Sequence, residues 1–488
     1  MTEFAPAVDP ARALEELSAV VDGVVDGNAA DACDVFLTGR VGQYTRFAGG
    51  RIHQPQDITE VQVMVRAIVN GHAARAACGG LAGLPAAART AARSAAAIAA
   101  SVGTPGRVRV ATPDLASDLA PGKYSPRQLG GEHPQPVPAE ALLVDDATAA
   151  FDTAERVDLV RAAHAAAAAR GGSVAGMVGR ALTQLVVATS TGIRRATLAT
   201  EAQGGFTFEV GDGTAHVIDL GRAVGRLGLR DAIDGAAAQA AASVGRVEAE
   251  PGEYTVVLGP EATAELVSFL PAFGFSGELA AAGVGVCARR GGERAASALV
   301  SVADDALADV GLPIGFDIEG VTKRRVALLD KGIVGSPVTD LSTAAALDVR
   351  SSGHAHIARE EAPATRAANL VMAAGGDTEA SLIAGVRRGV YLQRFWYTRL
   401  VDRAATTITG VTRDACFEIV DGALGRPLAG MRFTQPVLEL LSTVDGVGDR
   451  RGTVPVMNVW NGATTAPAIR AHGFRLGAAP ASRNGTSA

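Results

Sequence analysis

Residues 60–71 read EVQVMVRAIVNG, and their pattern decides how the first half of the chain folds. Val61, Val63, Val65 and Val69 alternate against polar neighbours, the period-two signature of a strand with one face in a core. Asn70-Gly71 follows at once, a pair that accepts positive φ and makes the tight turn whose twist suits a hairpin. Working back, residues 34–54, DVFLTGRVGQYTRFAGGRIHQ, hold short strand-like runs broken by glycines. Residues 10–24 have the spacing of an amphipathic helix, and 84–101 read as an alanine-rich one.

Further along, seven prolines between Pro105 and Pro138 rule out long regular structure, so 105–138 reads as an irregular connector. A second alanine-rich helix is expected at 155–170, strands at 181–189 and 205–219, and a helix at 233–244. The composition changes at Pro251-Gly252. From Tyr254 onward β-branched runs recur between turns: TVVL at 255–258, VALLDKGIV at 326–334 and TTITGVTRDACFEIVDG at 406–422. That pattern suggests a mainly antiparallel sheet or barrel. The chain therefore divides into 1–248 and 249–475, with a small, polar tail at 476–488 expected to be disordered.

Composition narrows the function. Hydrophobic residues make up 48% and charged residues 20%, a soluble globular balance. The net charge of −6 argues against nucleic acid as a partner, because a binder needs a basic surface to displace counterions. Cys33, Cys78, Cys287 and Cys416 show no CxxC spacing and read as free thiols in a reducing compartment. With no apolar leader core and no apolar run of about 18 residues, no membrane span is expected and a cytoplasmic location is.

Familiar catalytic motifs are absent: no GxSxG, no GxxxxGK[ST], no GxGxxG and no HExxH or HExxxH. Three constellations could carry chemistry. On a strand, His354 and His356 would share a face and could ligate one metal, or they could be an accidental pair at a polar strand end. Asp317 and Glu319 in FDIEG would likewise share a face. They could hold a cation or act as acid and base, or simply pair with Lys323, Arg324 and Arg325. Arg394-Phe395-Trp396-Tyr397 gathers aromatics in a chain that is only 4% aromatic, either to floor a ligand groove or to pack a core.

Several segments, in order, resemble the TldD/PmbA metallopeptidase family. These are TRFAGGRIHQ at 45–54 with EVQVMVRAIVNGHAARA at 60–76, GEYTVVLGPEATAELVSFL at 252–270, and GFDIEGVTKRRVALLDKGIV at 315–334. SSGHAHI at 351–357, NLVMAAGGDTEASLIAGVRRGVYL at 369–392 and TITGVTRDACFEIVDGALGRPLAGMRFTQ at 407–435 continue the series. The resemblance implies an α+β fold, with an α/β N-terminal domain followed by a mainly antiparallel, β-barrel-like C-terminal domain. In the active branch a helix carries HExxxH, whose histidines bind zinc, and a later cysteine completes the site. Those positions fall here on Ser268, Phe269 and Phe273, and the cysteine position on Arg413. Cys416 lies three residues away, on the other strand face. The chain thus resembles the TldE-like branch, with no catalytic or metal residue of its own.

The resemblance further implies an HExxxH-bearing TldD-like partner that holds the zinc, and an unfolded peptide as substrate. Asp317, Glu319, His354 and Arg413 are the candidate peptide- or partner-binding residues. Two alternatives stand beside this reading. One is an enzyme with a divergent centre built from His354, His356, Asp317 or Glu319, and the other is a stand-alone peptide-binding module.

Overall fold

In a computed structural model the described residues are 4–116, 143–357, 363–455 and 462–477. The first sheet has six strands: β1 (Ala32–Ala48), β2 (Arg51–Val69), β3 (His72–Cys78), β4 (Ser173–Thr189), β5 (Arg194–Val210) and β6 (Gly213–Gly221). They lie in the order β3-β2-β1-β4-β5-β6, every neighbour antiparallel. Two-residue turns set the register. Gly49-Gly50 joins β1 to β2, and Asn70-Gly71 joins β2 to β3, all four with positive φ. At Gly71 a Cβ would meet the Gly106 carbonyl oxygen at 2.3 Å, so a side chain is excluded there by space as well as conformation. The run expected as one strand at 205–219 is cut by Gly211 (φ 58) into the end of β5 and all of β6.

Helices α1 (Pro10–Asp26), α2 (Leu84–Val102), α5 (Thr153–Ala168) and α6 (Leu229–Ala242) pack against this sheet, with short α3 (Pro113–Ala116) and α4 (Asp146–Ala150) between them. Helix α1 buries Ala13, Leu17, Val21 and Val24, one stripe at helical spacing. Helix α2 buries mostly alanines, including Ala88, Ala91, Ala92 and Ala95, which lets it lie close to β2 and β3. Helix α5 starts at a capping box, Asp152 with Glu155. On β4, Val174, Val178, Val186 and Ala188 pack into the clusters shared with helices, while Leu185 and Val187 face the other way. The remainder of the 105–138 connector, from 117, lies outside the described residues, as does the tail beyond Gly477; Leu476 is still strand.

The second sheet has thirteen strands. They are β7 (Gly252–Leu258), β8 (Val302–Asp304), β9 (Val326–Asp330), β10 (Ile333–Val334), β13 (Asn369–Met372), β14 (Arg388–Leu392), β15 (Arg394–Asp402), β16 (Thr407–Arg413), β17 (Phe417–Val420), β18 (Ala423–Pro427), β19 (Arg432–Pro436), β20 (Gly446–Pro455) and β21 (Ala463–Leu476). A separate ribbon pairs β11 (Ala355–Ile357) with β12 (Pro363–Thr365). Pairing is antiparallel except β13 with β21 and β14 with β7. The sheet runs from β10 to β18 without closing, so it curves in the manner of a barrel but keeps its edges. Strand β21 pairs with β7, β13, β19 and β20. Inside, Phe395, Phe433 and Phe474 lie with ring centroids 4.5–5.8 Å apart. Helix α7 (Pro260–Val267) follows β7 directly, Pro260 starting it with a pre-set φ. No helix among the described residues is long and apolar enough to cross a membrane.

The two sheets meet at the FDIEG segment, and here the structure departs from the strand expected there. Residues 317–320 form a tight turn: the Gly320 amide donates to the Asp317 carbonyl at 3.0 Å, and Gly320 has φ 80. Asp317 accepts from the amides of Glu319, Val321 and Ala355 at 2.8–3.0 Å, so its carboxylate closes the turn. Glu319 does not pair with Lys323, Arg324 or Arg325. It accepts from Arg66 of β2 at 2.8 Å and from the Leu341 amide at 3.0 Å. Arg66 also pairs with Asp34 of β1, and all three side chains are buried. Phe316 packs into Phe36, Met64, Leu185 and Val187 of the first sheet, and Arg195 of β5 donates to the Gly320 carbonyl at 2.9 Å.

Because breaking a buried ion pair strands the remaining charge, Arg66→Ala, which leaves both Asp34 and Glu319 without their shared partner, should lower unfolding stability by about 3–5 kcal/mol. Denaturant unfolding followed by circular dichroism measures this, and an unshifted midpoint would contradict the seam described.

Candidate functional site

Where β6, α7, β15 and β20 converge, a cleft of about 110 Å³ opens. His216 and Ile218 of β6 form one side; Glu261, Glu265, Ser268 and Phe269 of α7 and its end form the floor. Arg394 through Arg399 of β15 form the opposite wall, closed by Val454 and Pro455. Glu261 and Glu265 are one helical turn apart and so share a face, with Ser268 a turn further on. The first sheet contributes directly: His216 Nδ1 lies 2.7 Å from Glu261 Oε2, and Gln393 holds the His216 backbone through both its amide groups at 2.9 and 3.0 Å. Burial pushes the Glu265 carboxyl up from its ordinary range, partly opposed by Thr398, Arg394 and Arg399.

On the wall, β15 carries a bulge between Trp396 and Arg399, and there Tyr397 takes φ 51 and stands 69% exposed. Arg394 pairs with buried Asp414. Arg413 on β16 lies directly across from Arg394. Its guanidinium sits 4.6 Å from the Trp396 ring centre, with that of Arg394 at 5.3 Å.

Ser268, Phe269 and Phe273, where the resemblance would place HExxxH, fall at this cleft and beneath it. Ser268 lines it, its hydroxyl donating to the Glu265 carbonyl at 2.6 Å. Phe269 and Phe273 are buried in the hydrophobic core. Cys416 is buried, its thiol pushed up to about 12 by desolvation. Among the described residues no three His, Cys, Asp or Glu side chains gather as a metal site would require.

Of the residues singled out from sequence, Arg413 lies outside the cleft lining but stacks on Trp396 of its wall, half exposed. Asp317 and Glu319 sit in the seam between the sheets. His354 is buried elsewhere, its ring bonded to Ser352 at 2.9 Å and Asp304 at 3.0 Å. Burial opposes the Asp304 charge, yet His354 and Lys323 hold its carboxyl well below the usual range. His354 precedes β11 whereas His356 lies within it, so the shared strand face expected for the pair does not form. His216, Glu261 and Glu265 were missed. The i, i+4 carboxylates after the VVLGP run were visible as a pattern, but nothing near His216 tells that β6 would reach them.

The fold, two sheets joined at the FDIEG turn with this cleft between their elements, is a scaffold of the metallopeptidase type. Residues 33–99 match PmbA/TldA metallopeptidase domain 1, and residues 251–478 match the PmbA/TldA metallopeptidase C-terminal domain. The chain belongs to the TldD/PmbA family. Its fold is similar to that of TldE from Thermococcus kodakarensis, with TM-score 0.76 and 19% identity over 94% of this chain and 99% of that one. A candidate modulator of a DNA gyrase from Thermotoga maritima superposes with TM-score 0.74 and 16% identity, over 95% of this chain and all of that one. A metalloprotease of Methanothermobacter thermautotrophicus is 28% identical over 202 residues. That stretch is 40% of this chain and 43% of the relative, so the similarity spans less than half of its length.

Two outcomes follow from the burial of these groups. Glu265 favours its protonated form in the folded chain, so the stability it lends is present below the ordinary value of 4.5 and is lost as pH rises through the raised value. Glu265→Gln should therefore be more stable than the parent at neutral pH and flatter in its pH profile; a less stable variant at pH 7 would refute this. Desolvation pushes the Cys33, Cys287 and Cys416 thiols up to about 12, and Cys78 is half-buried, as Cys287 is. A thiol reagent should label Cys78 first in the native chain and all four once it is denatured without reductant; two thiols instead would reveal a disulfide.

Proposed function

We propose that this chain is a TldE-like subunit of a cytoplasmic, heteromeric zinc metallopeptidase that degrades or matures unfolded peptides. It holds no zinc and supplies walls and peptide contacts beside an HExxxH-bearing TldD-like homologue that carries the metal. One observation supports the reading above others: the scaffold and its cleft are kept while the zinc positions hold Ser268, Phe269 and Phe273. A hydroxyl and two buried phenyl rings do not fit zinc, which takes imidazole, thiolate or carboxylate. The Cys416 thiol, desolvated and at the wrong position, does not replace them. Arg413 is the residue assigned to the peptide, because a half-exposed guanidinium offers fixed donors to a carbonyl or carboxylate. Asp317, Glu319 and His354 are enclosed by groups of their own chain and are assigned to holding the scaffold that the partner and peptide meet.

A second reading, a divergent enzyme acting alone, draws support from the His216–Glu261 pair beside Glu265 in the same cleft. The experiment that separates the two purifies the chain, measures bound zinc, and follows complex size and peptide cleavage on mixing with an HExxxH-bearing homologue. The subunit reading expects no stoichiometric zinc, no cleavage alone, and cleavage on mixing. Arg413→Ala should leave assembly intact and slow cleavage about tenfold, the worth of one charge-assisted contact. A partner fully active by itself, or no complex at micromolar concentration, would overturn the subunit reading. Cleavage by the chain alone that His216→Ala abolishes would establish the second.

A further inference from the structure

Resting on the reading of this chain as a peptide-handling subunit, we propose that the outward face of β15, β16 and β19 is a platform for extended acidic peptides. The register places Arg394 directly opposite Arg413, Trp396 opposite Val411, and Val411 in turn opposite Arg432. Arg399 lies opposite Thr409, and Thr409 opposite Thr434, whose hydroxyls hydrogen-bond at 3.2 Å. One sheet face thus carries four guanidiniums around one indole. Like charges directly across a ladder repel each other, so a surface with only a structural role avoids the Arg394–Arg413 arrangement.

Here the repulsion is only partly relieved. One buried carboxylate, Asp414, pairs with Arg394 and lies 4.0 Å from Arg413, so two guanidiniums share one negative charge, and both lie over the Trp396 ring at 5.3 and 4.6 Å. Arg399 and Arg432 are exposed and form no ion pair among the described residues. The bulge adds Tyr397, edge-on to Trp396 at 5.3 Å and largely exposed, held at a φ that aromatic residues rarely adopt. A half-buried Trp beside an exposed Tyr and exposed Arg is the composition of a binding hot spot.

Charge decides the occupant. Arg413 and Arg432 are diagonal neighbours across β16 and β19, a spacing of about 7–8 Å between such positions. Alternate side chains of an extended peptide repeat at about 6.6 Å. Carboxylates at every second position therefore reach successive guanidiniums while the peptide lies along the sheet. A polynucleotide is disfavoured, because its continuous run of phosphates needs an extended basic surface, and this chain of net charge −6 offers only a local group of four guanidiniums.

The test uses the intact chain with Trp460→Phe, which leaves Trp396 as the reporting indole of the two present. It is titrated with a twelve-residue peptide of alternating glutamate and serine, and with the same peptide carrying glutamine. The glutamate peptide should change Trp396 emission and bind about tenfold more tightly than its glutamine counterpart, and added salt should erase the difference. Arg432→Gln, an exposed change that does not threaten folding, should weaken the glutamate peptide severalfold, and Arg413→Gln more. Equal binding of the two peptides, or affinity untouched by Arg432→Gln, would overturn the proposal. So would binding that disappears when the HExxxH-bearing homologue saturates the chain, since the face would then belong to the subunit contact. Acidic-peptide binding by a chain that never assembles would sink the subunit reading and leave the platform. Assembly and cleavage without preference for glutamate would do the reverse.

Discussion

The Arg66 guanidinium, buried between Asp34 and Glu319, is the interaction on which the two halves of the molecule depend. Removing three charges from water is costly, and the cost is offset only if every donor and acceptor keeps its place. That requirement locks β1 and β2 of the first sheet to the turn at 317–320 of the second. Phe316 and the Arg195 contacts then align the same turn over the sheet face that the helices leave open. The cleft inherits this alignment, because His216 comes from the first sheet and Glu261 from α7, the helix that follows β7 of the second. A shift of one sheet against the other would separate them, so the seam and the site are a single construction.

What the sequence disclosed follows from how local each feature is. The alternation of Val61 to Val69 and the turn at Asn70-Gly71 are contained within a few residues, and β2 and β3 appear where they were expected. The α1 stripe and the alanine-rich α2 are equally local. The second sheet was legible as a class, yet its parallel pairs, β13 with β21 and β14 with β7, join segments far apart and leave no local trace. FDIEG was misread because i and i+2 carboxylates look alike on a strand and in a turn. The left-handed Gly320 settles the matter, and Arg66, the true partner of Glu319, lies 253 residues away.

The candidate site shows the same division. Arg394 to Tyr397 attracted attention as a cluster of aromatics and cations, and those residues do wall the cleft. The two readings offered for them, groove and core, hold for different members of one strand. Phe395 points into the core beside Phe433 and Phe474, while Trp396 and Tyr397 turn outward. Ordinary strand alternation sends Phe395 and Trp396 to opposite sides, and the bulge that follows leaves Tyr397 beside Trp396. Phe269 and Phe273 have a packing consequence too: they fill the core beneath the cleft, so that its floor rests on apolar contacts.

Strand β21 runs through the middle of the second sheet, bonded to β13 and β7 along one side and to β20 and β19 along the other. Its residues leave the ribosome roughly 200 positions after those of β7, an interval on the order of 10–40 s at ordinary rates of synthesis. Throughout that time β7 lacks the neighbour that covers one of its edges, and an uncovered edge invites pairing with other chains. The first sheet, whose strands close upon one another within 221 residues, can form ahead of it. Nascent chains should thus pass through a stage in which a finished helical-faced sheet trails an open, sticky half-sheet, and that stage is where a cell's folding helpers would have most to do.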